Sequence, residues 1–276
     1  MIVELRNSEF NKIEHLLIGN RINLEICAVV QGYNPGWIFV DNPDKPKTAL
    51  VWSKGIKGFY FLGEHANIEF TKYIYQYIHE QIIYRAKNMG LTRFEFSGTS
   101  DEWDRTLEKI FMDKKLHRSK QFVYECNTVS KSVINQEKLP TNIEIKSINE
   151  ELLSSDVESI DFIIEIILEW WNTIEDYLKY GVGFCIVYND KIVSSCVSSF
   201  VTKKAMESHI VTVDGYRKRG FAKLAVKEFI RFCDIKNYTP YWDCMEDNFG
   251  SRALAEGLGY SKKYDYKLYS FELDNL

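Results

Sequence analysis

Residues 207–222, Glu-Ser-His-Ile-Val-Thr-Val-Asp-Gly-Tyr-Arg-Lys-Arg-Gly-Phe-Ala, are where this sequence has side chains of the type and spacing that chemistry needs. Ile210, Val211 and Val213 favour a strand, Asp214-Gly215 signals a turn, and an amphipathic helix starts at Ala222. A strand that enters a helix through a basic, glycine-containing loop suits an anion. The first helical N–H groups have no intrahelical partner, and the helix dipole adds positive potential there. Arg217, Lys218, Arg219 and Lys223 surround this helix start and no acid follows until Glu228, the reverse of an ordinary first turn. The competing reading is a solvated basic turn.

The elements that must position this loop occur in an order found twice. In the first half, 26–30, 37–40, 49–52 and 59–62 read as strands, followed by a long helix over 68–88 that stops at Met89-Gly90. A strand at 93–96, a helix at 102–112 and a strand at 121–126 complete it. The second half repeats this with strands at 184–188, 192–200 and 207–213, a helix at 222–235, a strand at 241–244, a helix at 248–258 and a closing strand at 266–272. The pattern predicts an internal duplication. The expected domains are 1–130 and 143–276, joined by a polar linker at 131–142 that contains Pro140. The first half reaches its long helix through Gly63-Glu-His-Ala-Asn67, which has neither a basic cluster nor a helix-opening glycine, so no phosphate cradle is expected there.

With 276 residues, 45% of them hydrophobic, there is ample material for a core. The net charge of -4 and the 27% charged fraction argue against disorder and against general attraction to nucleic acid. Residues 1–130 carry +1 and the remainder -5, so the acidic half is the one with the basic loop. That would suit one anionic ligand held locally and one cationic ligand drawn in more broadly. The six cysteines lack Cys-x-x-Cys spacing and mostly sit in apolar runs, as small core residues of a reducing, cytoplasmic protein do. No signal peptide is evident. The most apolar run, 160–171, is interrupted by Asp161, Glu165 and Glu169 on one stripe and reads as an amphipathic helix, not a membrane span. The five histidines form no metal motif, so no metal is expected, and His209 reads as a packed strand residue.

Arg217-Lys-Arg-Gly-Phe-Ala222 fits the Gln/Arg-x-x-Gly-x-Gly/Ala motif, and Asn248-Phe-Gly-Ser251 leads to Leu258-Gly259-Tyr260 at the distance of a second signature. On these residues, the stretch from about 161 to 271 resembles the GNAT superfamily of acetyl-CoA-dependent N-acetyltransferases. The chain, including Trp242-Asp243-Cys244 and Ser251-Arg-Ala-Leu-Ala-Glu256, is similar to a bacterial branch typified by zwittermicin A resistance acetyltransferases. The resemblance implies an α/β (α+β) GNAT fold, with a mixed, mostly antiparallel sheet flanked by helices and a degenerate GNAT-like N-terminal half.

It further implies that the backbone of Arg217, Lys218, Arg219, Gly220, Phe221 and Ala222 holds the pyrophosphate of coenzyme A. Family spacing places the Val211 N–H on the acetyl carbonyl and Val213 on the pantetheine amides, in a gap where the acyl-pantetheine arm lies as a surrogate strand. Glu207 stands where the family often has its base, and an amine must lose a proton before it attacks. The position of the family's acid tyrosine is Ala255, which leaves Ser251, Tyr260 or Tyr264 as substitutes. Asn248 and Ser251 join the cofactor set, Asn248 reading equally as a helix N-cap. Trp170 and Trp171, on the helices that line the acceptor cleft in the family, and Asp243 and Glu246, at a neighbouring strand end, are the candidates for a cationic acceptor. The expected reaction is direct acetyl transfer from acetyl-CoA to a small-molecule amine, without nucleic-acid or membrane partners and with a homodimer left open. The alternative is a non-catalytic acyl-CoA-binding sensor or interaction module.

Overall fold

The computed structural model describes residues 2–19, 21–126 and 139–273, so residues 131–138 of the expected linker lie outside the described residues. The chain divides into two compact units: Met1–Phe122 with Tyr264–Leu276, and Val123–Lys263.

In the first unit the strands β1 (Val3–Glu4), β2 (Gly36–Val40), β3 (Thr48–Ser53), β4 (Gly58–Gly63) and β5 (Arg93–Gly98) lie side by side in that order, followed by β12 (Ser261–Glu272). β4 and β5 pair in parallel. The crossover between them is a helical run of α2 (Ile68–Tyr77), one π-helical turn (Ile78–Ile82) and α3 (Ile83–Asn88). Asn67 caps it by accepting the Phe70 N–H at 3.2 Å, and α4 (Asp101–Ile110) follows β5. Strand alternation covers both faces with apolar side chains. Ala49 and Val51 join Ile26 and Val29 on one side, whereas Leu50 and Trp52 join Phe59, Phe61 and Phe70 on the other.

Two expectations change here. The segment 26–30 is not a strand but part of α1 (Leu24–Val30). Six of its seven residues are buried, so no polar face betrays the helical period, and a short apolar run reads the same either way. The closing strand forms as expected, but residues 269–272 pair with β5 of the first unit. Chain order placed them with the second domain. Their aromatics find their partners in the first unit: Phe271 stacks on Phe94 at 5.3 Å and Tyr269 on Phe96 at 5.4 Å.

In the second unit the order is β6 (His117–Glu125, of which residues 123–125 belong here), β11 (Thr239–Met245), β10 (Ala205–Thr212), β9 (Lys191–Val201), β8 (Gly183–Tyr188) and β7 (Ile143–Ser147). β10 and β11 pair in parallel. They are connected by α8 (Phe221–Lys236), which buries Ala225, Val226, Phe229, Ile230 and Cys233. After β7 come α5 (Glu150–Leu153), α6 (Ile160–Trp170) and α7 (Ile174–Tyr180), and α9 (Phe249–Gly257) follows β11. Helix α6 is amphipathic as its acidic stripe predicts: Ile163, Ile166, Ile167 and Trp170 are buried and Asp161, Glu165 and Glu169 are exposed. Among the described residues, no helix is long and apolar enough to cross a membrane.

Phe96 has no exposed surface and touches Phe94, Phe111, Tyr269 and Phe271. Phe96→Ala should therefore remove about 3–5 kcal/mol from the first unit. Chemical denaturation should show this as a lower midpoint at unchanged slope.

Candidate active site

The second unit owes its cleft to two parallel strands that stop pairing early. β10 runs to Thr212 and β11 to Met245, yet their register ends at Glu207 opposite Tyr241. β10 stays paired with β9 through Thr212, so the gap opens only on the β11 side. An antiparallel strand alternates its backbone groups between its two neighbours. The Val213 N–H donates to the Val193 carbonyl at 2.9 Å, which commits Val213, and by alternation Val211, to β9.

The backbone groups turned to the gap are thus those of Ile210 and Thr212, and the expectation for Val211 and Val213 is corrected by one residue. Because the alternation has period two, such a shift exchanges every group facing the cleft. Thr212 shows the gap-facing side directly, since its carbonyl accepts from Arg217 Nε at 3.4 Å instead of from β9.

The loop beyond is built for backbone approach. Lys218, Gly215 and Gly220 have φ of 61°, 86° and 85°, in the left-handed region. A Cβ added at either glycine would meet nothing within 4 Å, so the space above them is open. Gly220 occupies the N-cap of α8 without a side-chain cap, and the first turn has no acid. The first N–H with an intrahelical partner is that of Leu224, which donates to the Gly220 carbonyl at 3.2 Å. The basic side chains divide their roles. Arg217 pairs with Asp214 at 3.1 Å, whereas the Arg219 guanidinium rests on the rings of Tyr188 at 4.6 Å, Phe221 at 5.2 Å and Tyr216 at 5.5 Å. It also lowers the Tyr188 phenol pKa. Arg219 therefore ties the loop to an aromatic base.

Glu207 is buried and lies at an irregularity of the β10–β9 register between Met206 and Ser208, a place where a bulge re-aims side chains. Two residues on, the His209 ring packs on Trp170 at 4.8 Å, and Trp170 meets Phe200 edge-on at 5.4 Å. Trp171 has no exposed surface, and its Nε1 donates to the Ser198 carbonyl at 3.0 Å. It is a core residue and not an acceptor contact. The sequence misled because adjacent helix-end tryptophans look alike, and the backbone turns extended at Trp171 and drives its ring inward.

Asp243 lies on the part of β11 that β10 has left, and Glu246 follows at the strand end. Asn248 is the N-cap of α9, accepting the Ser251 N–H at 3.1 Å. Ser251 Oγ accepts from Trp242 Nε1 at 2.9 Å, which fixes the oxygen. Tyr260 does not fit the role of general acid. Its hydroxyl is fully buried beside Cys126, Cys196 and Cys233, and burial pushes its pKa well above the ordinary tyrosine value. Tyr264 belongs to the first unit. Among the described residues, no group of three or more His, Cys, Asp or Glu could hold a metal ion.

The matching strands of the first unit behave oppositely. β4 and β5 pair from Gly58–Glu95 through Phe61–Gly98, and the Thr99 N–H extends the ladder to the Phe61 carbonyl at 3.1 Å. Trp103 Nε1 donates to the Gly63 carbonyl at 3.0 Å. No gap opens between them.

Two measurements follow from these placements. Tyr260→Phe should leave any acetyl transfer rate within about twofold, whereas loss of a general acid costs about 10²-fold or more. Burial lowers the His209 pKa below 6.5, opposed only in part by Glu169. The folded protein then binds fewer protons than the unfolded chain, so stability falls as pH drops through 6.5 and until the depressed folded value is passed. Denaturation midpoints at about pH 7.5 and pH 5.5 should differ less in His209→Phe than in the parent.

The chain is 27% identical, over 271 residues and 98% of each chain, to the uncharacterized N-acetyltransferase YdfB of Bacillus subtilis (strain 168). Its fold is similar to that of a GCN5-related N-acetyltransferase-like protein from Streptococcus suis 89/1591, with a TM-score of 0.65, 20% identity and coverage of 96% of this chain and 98% of that one. A tandem GNAT protein from the clavulanic acid biosynthesis pathway superposes with a TM-score of 0.64 at 10% identity, covering 100% and 99% of the two chains. The fold is thus α+β, a mixed sheet flanked by helices in a tandem GNAT-like arrangement. The GNAT acetyltransferase family model matches residues 15–269, and the chain belongs to that family.

Proposed function

We propose that the second unit transfers the acetyl group of acetyl-CoA to a primary amine of a small molecule by direct attack. The observation that carries this reading is the parting of β10 from β11 immediately after Glu207, beside a helix start that lacks a cap. Acetyl-CoA, when bound, supplies the activated acyl carbon. The residues present fit it. The open space over Gly215 and Gly220 lets a pyrophosphate approach the N–H groups of Phe221, Ala222 and Lys223. The backbone of Thr212 and Ile210 offers strand-like hydrogen bonds to a pantetheine arm, with the Ile210 N–H assigned to the oxygen of the acyl carbonyl, where negative charge develops.

Glu207 accepts the proton that the amine must lose, since an ammonium near pKa 10 is mostly protonated at neutral pH. Ser251, whose oxygen is fixed by Trp242, keeps its proton and donates a hydrogen bond toward the departing thiolate. A thiol of pKa about 8.5 needs little help to leave. Asp243 and Glu246 bring negative charge to the acceptor side, which favours a cationic acceptor such as the amino-polyol compounds of the zwittermicin A resistance branch. Trp170 shapes that side through its packing on His209. The six free cysteines suit a reducing cytoplasm.

One observation favours the reading as a module that only holds acyl-CoA: Ala255 is buried where the family has its acid tyrosine, and Tyr260 does not replace it. A thiol-release assay with acetyl-CoA and an amine panel separates the two. Transfer predicts acceptor-dependent release of CoA, reduced at least about hundredfold in Glu207→Gln with acetyl-CoA affinity little changed. Tight binding without release would leave only the module, and no binding would remove both readings.

A further inference from the structure

The first unit has an open cavity of about 980 Å³ at the C-terminal ends of the parallel strands β4 and β5. This is where open α/β sheets place ligands, and the volume suits a small molecule. It does not suit coenzyme A. The strands pair to Phe61–Gly98 and the Thr99 N–H adds a bond to the Phe61 carbonyl, the Gly63 carbonyl is taken by Trp103, and the start of α2 is capped by Asn67 and followed by Glu69. What lines the cavity is charge of both signs around an aromatic floor.

That floor is Trp103, held by its hydrogen bond to Gly63. Beside it stands Arg21, only 16% exposed, which bonds Asp104 at 3.4 Å and pairs with Asp101 at 3.1 Å. Lys45 and Lys47 come from the β2–β3 connection, which the His15 ring joins through a 2.8 Å hydrogen bond to the Pro46 carbonyl. Glu64 follows β4, and its N–H donates to the Lys47 carbonyl at 2.9 Å. Asp101 is matched by Arg21, and Glu102 is matched by Arg105 at 2.9 Å. Lys45, Lys47 and Glu64 make no ion pair among the described residues. A pure anion in this cavity would face Glu64, Asp101, Glu102 and Asp265, and a pure cation would face Lys45, Lys47 and Arg21. A ligand with both charges meets a complementary group for each of them.

We propose that this cavity is a binding site for a small zwitterion with an ammonium and a carboxylate, of the size of a free amino acid or short peptide, its carboxylate at Lys45 and Lys47 and its ammonium at Glu64. Titration calorimetry of the full chain with glycylglycine tests it, with putrescine and succinate as single-sign controls. Glycylglycine should bind saturably and more tightly than either control, with the same affinity whether or not CoA is present. Lys45→Glu combined with Lys47→Glu should weaken it at least about tenfold, and so should Glu64→Lys. Circular dichroism should be unchanged in both, as these side chains are exposed. The proposal is overturned if no saturable heat appears up to about 10 mM, if succinate or putrescine binds as tightly, or if the charge reversals have no effect. Displacement of glycylglycine by CoA would assign it to the second unit instead and would equally overturn the proposal.

Discussion

Two parallel strands in the second unit lose each other after three residue pairs, the last of them Glu207 opposite Tyr241, and the rest of the candidate site depends on that parting. Separating strands inside a sheet exposes backbone donors and acceptors that must find partners. β10 bears this because β9 holds it firmly on the other side through Thr212. The stretch beyond Glu207 is therefore a rigid strand with one free edge, which an extended acyl-pantetheine arm can complete. Helix α8 gives the adjoining loop the same rigidity, since its anchors Ala225, Val226, Phe229, Ile230 and Cys233 lie in the core. Preorganised donors aimed at a developing charge are what acyl transfer requires of a protein.

The first unit has a related order of elements and the opposite outcome. Its parallel pair stays closed because Thr99 continues the ladder and Trp103 ties down Gly63. Its helix begins with a satisfied cap and an acid, where α8 begins with a bare glycine and no acid. A repeated fold has been kept in both units while the chemistry of the strand-to-helix turn diverged. The two units thus differ at a few residues of one turn and in one hydrogen-bond ladder.

Much of this was legible in the sequence because it rests on local rules. The left-handed glycine at 220, the acid-free first turn after it and the amphipathic stripe of α6 are each readable from residue type and period alone. What could not be read depends on pairing across the sheet. Whether Val211 or Ile210 faces the gap is set by the register with β9, which no local pattern encodes. Trp170 and Trp171 are adjacent, yet a helix end between them sends one to His209 and the other to the Ser198 carbonyl. Tyr260 is polar by type, but three cysteines and its burial make it core. The destination of β12 follows from aromatic partners far away in the chain.

The central claim is that the chain has one open acyl-donor cleft and one closed counterpart. Calorimetric titration of the full chain with acetyl-CoA tests it most directly. The predicted result is a stoichiometry of one, lost when Gly220 is replaced by valine, a residue that is strained at this positive φ and fills the open approach. A stoichiometry of two, or tight binding that survives Gly220→Val, would contradict the account.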